Sequence, residues 1–309
     1  MNQRRKIWQG AFLLLAAFTT VLLFAVPELC AETLRDGLQL CSGPLLVSLF
    51  PFLVVSPLLM HSGAGEMLGF VLQPVARLIG IRARSAGGVL LIGFLGGFAP
   101  AASAAREAVN TGQLSAKQAS ALLPACICSG PSFVILTVGE QMLGSYALGI
   151  RLFAAQVLAG YLSAALLNRL SGLHSQPSKS PDVPSAKQEA ALPPLDAIIA
   201  QAAVTYLKLC SFILYFRLLA AGCGVFLPGS GAVLPAMLLE VCSGCDYASR
   251  TGLWASTLCC ASLSLQGVSV LLQVRTICPK EVSFKPLLAA RLLHLPLSLA
   301  LFYLGLPQQ

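Results

Sequence analysis

Residues 93 to 105 read GFLGGFAPAASAA, and the fold turns on how this stretch is read. It is apolar enough to open a membrane span, yet three glycines and a proline interrupt it. Both residue types oppose a continuous helix, glycine through its backbone freedom and proline through its missing N–H. Charges on either side resolve the contradiction. Arg77, Arg82 and Arg84 precede the stretch and Arg106 and Lys117 follow it, and basic residues in short loops mark the cytoplasmic face. A segment that begins and ends on one face is a re-entrant hairpin. Irregular backbone at membrane depth is tolerated only inside protein or along a wet cavity.

The whole chain supports that setting. Of its 309 residues 56% are hydrophobic and 10% charged, a composition that excludes an ordinary soluble domain. A formal net charge of +8 comes from residues lying between apolar runs without interleaved aromatics, so it reads as a topology signal and no nucleic-acid partner is expected. Most of the 11 cysteines fall inside apolar segments, where a thiol acts as a small hydrophobe. Cys30 and Cys41, flanking an acidic stretch, are the one pair whose position leaves a disulfide open.

Seven stretches approach the roughly 20 residues a span requires: Trp8 to Val26, Pro44 to Met60, Ala119 to Leu136, Tyr146 to Leu167, Ala197 to Ala220, Leu253 to Val274 and Leu287 to Leu304. The first follows a basic start and reads as an uncleaved span rather than a signal peptide. Ala86 to Ala105 and Gly231 to Tyr247 are apolar but broken. Arg4, Arg5 and Lys6 place the amino terminus inside, and Glu28, Glu32 and Asp36 place the next loop outside. Continued alternation puts the polar linker SGLHSQPSKSPDVPSAKQEAALPP in the cytoplasm and makes Gly231 to Tyr247 a hairpin entering from outside.

The expected fold is therefore an all-α integral membrane protein of about seven transmembrane helices plus two re-entrant hairpins, arranged as an inverted-topology repeat. Residues 1–43 form an amino-terminal helix and external loop, 44–169 the first repeat, 170–196 the cytoplasmic linker and 197–309 the second repeat. Each repeat runs span, broken hairpin, span, span, with GFLGGFAP answered by LLEVCSGC and ACICSGPSFVI by CCASLSLQGVSVLLQ.

Such repeats in secondary transporters place a substrate site at the broken helices, near mid-membrane. The first half offers Gly97, Pro100 and Ser103 with Ser129, Gly130 and Ser132; the second offers Glu240, Ser243 and Gly244 with Gln266 and Ser269. Small residues also let helices pack closely, which is their bland role. Glu240, within PAMLLEVCSG, and Lys208, within TYLKLCSF, are ionisable groups inside apolar runs, where each costs about 2.5–3.5 kcal/mol on insertion scales. Pairing of the two, or contact with an anionic substrate, explains them; snorkelling is the alternative for Lys208. CSGC at 242–245 stands without a second ligand pair, so no metal is expected, and GVLLIG at 88–93 lacks the lysine of a phosphate loop. His61, His174 and His294 form no catalytic constellation in sequence, so neither enzyme activity nor a cofactor is expected. The expected partners are an anionic small molecule and the lipid bilayer, with a homo-oligomer left open.

These pieces resemble the sporulation integral membrane protein family of endospore-forming bacteria, whose members carry paired Gate, or nucleoside-recognition, domains distantly similar to concentrative nucleoside transporters. The likeness is carried by LFPFLVVSPLL (49–59), GFLGGFAPAA with REAVNTGQLS (93–115), ACICSGPSFVILTVGEQMLGS (125–145), LLEVCSGC (238–245) and SLQGVSVLLQ (264–273). It implies a transporter-like protein of the outer forespore membrane, linked with movement of dipicolinic acid, a small aromatic dicarboxylate. A nucleoside or nucleobase carrier and a non-transporting scaffold for spore maturation are the alternatives. Members of that family carry an Asn pair before the Ser-Gly-Pro turn; Ile127 and Cys128 stand there in this chain.

Overall fold

The computed structural model describes residues 3–62, 64–172, 194–227 and 229–304, which form helices joined by short breaks and turns, with no strand among them. The polar linker expected at 170–196 lies almost wholly outside the described residues. Helix α1 (Gln3–Ala25) is followed at once by α2 (Pro27–Leu40), which starts with proline in its first turn, where the missing N–H costs nothing. The chain turns by 107° between them.

The stretch after α1 is thus a helix, not the external loop expected from its acids. Its sequence carries a buried face, Cys30, Thr33 and Gly37, at helical spacing, with Glu32 and Asp36 exposed beside it. Cys30 and Cys41 are both buried and unbridged, about three turns apart along this segment. A π-helical turn at Cys41–Leu45, kinked at Gly43 and Pro44, carries the chain into α3 (Leu46–His61). Beyond it the segment read only as a carrier of arginines forms two short helices, α4 (Ala64–Gly69) and α5 (Gln73–Ile79).

The first broken stretch forms α6 (Arg84–Gly96) and α7 (Phe98–Asn110), separated by Gly97 alone. Gly97 has φ +82° and ψ −165°, a region closed to side-chain-bearing residues, so the chain can reverse there. The reversal is complete: Ser85 Oγ, at the start of α6, donates to the Gln113 carbonyl just beyond α7 at 3.2 Å. Gln113 Nε2 in turn donates to the Met60 carbonyl at 3.1 Å, fixing the hairpin base beside the end of α3.

After α8 (Ala116–Cys126), opened by a capping box at Ser115 and Gln118, the helix stops. Residues 127–130 are non-helical, and a π-helical segment, Ser132–Met142, continues the path. Helix α9 (Tyr146–Leu170) completes the first half and α10 (Leu195–Phe226) opens the second. The second broken stretch gives α11 (Val233–Leu239) and α12 (Val241–Ser249), joined through Glu240 in extended conformation. These also double back, since a Cβ on Gly244 would lie 2.7 Å from the Met237 Cα. Helices α13 (Ala255–Leu265) and α14 (Gly267–Ile277) meet at Gln266, and α15 (Lys285–Leu304) ends the described chain.

Helix α10, about 48 Å long at 1.5 Å per residue, serves as a ruler through the bundle. Its Ala197 to Thr205 face the base of the α6–α7 hairpin, at Arg106 and Glu107. Its Ile213 lies where Phe98 and Val241, from the two hairpin tips, converge. Its Arg217 and Ala221 face the base of the α11–α12 hairpin, at Asp246 and Arg250. The two hairpins therefore enter from opposite ends of the bundle, and their tips meet in the middle.

Among the described residues four helical stretches are long and apolar enough to cross a membrane, or up to six if each sharply bent pair is one span. The chain is a multi-pass integral membrane protein, and its described residues hold fewer uninterrupted spans than the seven its hydropathy suggests. The reason is local: Ser129-Gly130-Pro131 splits Ala119 to Leu136, and Gly43-Pro44 kinks the approach to α3.

Candidate functional site

Each hairpin tip rests on a break in the helix pair that follows it. A Cβ on Gly97 would meet the Gly130 nitrogen at 2.6 Å, so the first tip touches the α8 break through backbone alone. A Cβ on Gly267, itself at φ +71°, would meet the Glu240 nitrogen at 2.8 Å, so the second tip touches the α13–α14 break in the same way. The breaks then touch each other, because Gln266 Nε2 donates to Ser129 Oγ at 3.3 Å. Four interruptions, far apart in sequence, share one place. Gln266 is held there at φ +66°, the sole non-glycine residue with positive φ among those described.

Glu240 lies at this meeting point and is 1% exposed. Its carboxylate occupies the amino terminus of α12: Oε1 accepts from the Cys242 N–H at 2.9 Å, and Oε2 from the Ser243 N–H at 2.7 Å and the Ser243 hydroxyl at 3.0 Å. The unpaired amides and partial positive charge of a helix start offset the cost of burying the acid. Glu240 therefore has no need of Lys208. That lysine sits on an exposed face of α10 beside exposed Leu207 and is absent from the cavity wall, so the expected pairing does not form.

Around the tips is a cavity of about 30 Å³, walled by Ser129, Gly130, Phe98, Phe133, Glu240 and Gln273 among others. That is room for about one or two waters, too little for an organic solute. Toward the base of the first hairpin lies a cavity of about 140 Å³ containing His61, Ser103, Arg106 and Glu107. Toward the base of the second lies one of about 230 Å³ containing Glu32, Asp36, Arg217, Ser243 and Asp246. Ion pairs stand in both: His61 Nε2 to Glu107 Oε1 at 3.1 Å, and Arg217 and Arg250 to Asp246 at 3.7 and 2.8 Å. The centre thus holds little free space, with a larger cavity carrying charged side chains toward each end.

The remaining sequence candidates scatter around this centre. Pro100 is buried in the first turn of α7, and Ser103 is buried one turn further on, accepting from Arg106 Nη2 at 3.4 Å. Ser132 opens the π-helical segment and is half-buried outside the cavity wall. Gly244 lies against Met237 and the Ser262 hydroxyl, a packing role. Ser269 accepts from Gln273 Nε2 at 2.9 Å, which leaves the buried Gln273 Oε1 without a hydrogen bond at the cavity wall. Ile127 and Cys128 are buried, the thiol donating to the Gly93 carbonyl at 3.8 Å. Cys242 faces the cavity while the Cys259 thiol donates to the Cys245 carbonyl at 3.5 Å, and among the described residues no group of His, Cys, Asp or Glu converges as a metal site.

Two residues escaped the sequence reading. Gln273 is ordinary in sequence, its glutamine hidden by a helical run. Arg291 lies inside the last apolar run, Leu287 to Leu304, and is only 7% exposed, with Nη1 donating to the Ser264 carbonyl at 3.2 Å and Nη2 to the Ile127 carbonyl at 2.6 Å. A neighbouring signal existed: Arg291 and His294 in RLLH share one helix face inside an apolar run, and His294 Nε2 contacts the Gln156 carbonyl at 3.0 Å.

No family model and no solved structure matches this chain. Among curated proteins it is similar to the sporulation integral membrane protein YlbJ of Bacillus subtilis strain 168, with 28% identity across 90% of this chain and 78% of that protein.

Proposed function

We propose that the chain is a transporter or facilitator of a small organic anion of the dipicolinate type, acting in sporulation at the outer forespore membrane. Its halves, 44–169 and 197–309, are related as an inverted-topology repeat, and alternating access arises as one half moves against the other. The observation that carries this reading is the contact of two opposed hairpin tips with two helix breaks around a small cavity walled in part by Glu240. The resemblance to a sporulation membrane protein supplies the setting. On this reading the chain moves its solute without changing it chemically.

Glu240 shapes the substrate step. Its carboxylate occupies the α12 amides that an incoming carboxylate would seek, so a substrate anion entering there adds a second negative charge, and a proton carried in with the anion offsets the repulsion. Transport of the anion is then linked to a proton. The acceptor-rich wall, with Glu240, Ser129 and the open Gln273 Oε1, favours a second substrate class rich in donors, such as a nucleoside. Uptake of dipicolinate and of uridine into proteoliposomes, with and without a pH gradient, tests both. Dipicolinate uptake enhanced by the gradient is expected; uptake of uridine alone selects the second reading, and uptake of neither removes transport of both classes.

A further inference from the structure

We propose that Arg291 is the positioning residue that holds the two broken spans in register. A guanidinium this deeply buried ordinarily sits against a carboxylate, because an unpaired charge in an apolar interior is costly. Among the described residues Arg291 has no such partner. Its two hydrogen bonds go instead to backbone carbonyls at the carboxyl-terminal ends of α8 and α13: Ile127 caps α8, and Ser264 is the penultimate residue of α13.

Those carbonyls lie in the last turn, where the break leaves oxygens without an intrahelical N–H. Each helix end carries about half a negative charge, so two ends together offset one guanidinium. One side chain on α15 thus joins a break from the first half to a break from the second, 137 residues apart by sequence from Ile127 to Ser264. The fork of guanidinium donors can reach two carbonyls at once, which a lysine ammonium on a flexible stem does less well. Glu240 sits on a helix start and Arg291 on two helix ends, so the centre holds one charge of each sign, each fixed by helix termini.

The substitutions Arg291→Lys and Arg291→Met test this by hydrogen exchange on the full chain in nanodiscs, followed over 122–132 and 260–268. Arg291→Met is expected to raise exchange about tenfold or more at both breaks, and Arg291→Lys at one break while the other stays within about twofold. If Arg291→Met does not accumulate, the lysine variant carries the test. Unchanged exchange at both breaks in the lysine variant, or a uniform rise along α15 and α9, overturns the assignment. A second arm rests on the transport reading: with dipicolinate as probe, Arg291→Lys is expected to lower turnover about tenfold while KM stays within about threefold. Failure of uptake in the parent protein counts against transport and leaves the exchange result standing.

Discussion

The side-chain amide of Gln266 reaches the hydroxyl of Ser129 at 3.3 Å, joining the helix break of one half of the chain to that of the other. Gln266 does so from a left-handed backbone at φ +66°, a conformation that costs a non-glycine residue about 1–2 kcal/mol. The same side chain donates to the Leu263 carbonyl at 3.0 Å, so its amide is held from both sides.

Gln266→Gly therefore separates stability from function. Relief of the backbone strain is expected to offset the lost hydrogen bonds to within about 1 kcal/mol, while transport falls about fivefold or more. Thermal unfolding in detergent and initial uptake rates measure the two. A variant with wild-type uptake shows that the bond between the breaks is idle.

Glu240→Ala leaves the Cys242 and Ser243 amides of α12 without their acceptor. Loss of such a cap costs about 0.5–2 kcal/mol, visible as a lowered unfolding temperature. Glu240→Gln keeps a carbonyl acceptor but removes the negative charge. It is expected to abolish the response of uptake to a pH gradient, whereas a retained response places the proton elsewhere.

Gly97→Ala should be far more damaging than Gly112→Ala. Both glycines have positive φ, at +82° and +72°, but only at Gly97 does a Cβ collide with another backbone, 2.6 Å from the Gly130 nitrogen. Strain and overpacking together are expected to cost about 2–5 kcal/mol at Gly97, against about 1–2 at Gly112. Equal losses in unfolding temperature contradict tight contact between the tip and the break.

Lys208→Ala is expected to leave uptake within about twofold of the parent, because truncating an exposed side chain remote from the cavity removes no contact the substrate makes. A collapse of uptake with normal accumulation puts a substrate path along the outer face of α10.

Much of this architecture is legible in the residues themselves. The arginines around GFLGGFAPAASAA foretold a segment that returns to its own face, and Ser85 and Gln113 meet as that reading requires. Gly97, Gly130 and Glu240 stand out because breakers and acids are costly at depth, and Gln266 as a polar residue of the span after the second broken stretch; all four lie at the junction. What hid was what depends on direction rather than composition. The acids of α2 suggested a loop because its buried Cys30, Thr33 and Gly37 are small and weakly hydrophobic. Lys208 and Arg291 are both cations in apolar helices; only packing decides that one faces outward and the other inward.

Labelling of four single cysteines from each side of the membrane tests the central arrangement most directly. Arg84→Cys and Asn110→Cys bracket the first hairpin, and Gly231→Cys and Arg250→Cys the second; all four positions are exposed, while nine of the 11 native cysteines are buried. Arg84 and Asn110 are expected to label from the cytoplasmic side alone, and Gly231 and Arg250 from the opposite side alone. Labelling of either pair from two different sides makes that hairpin an ordinary crossing and contradicts the meeting of two opposed tips.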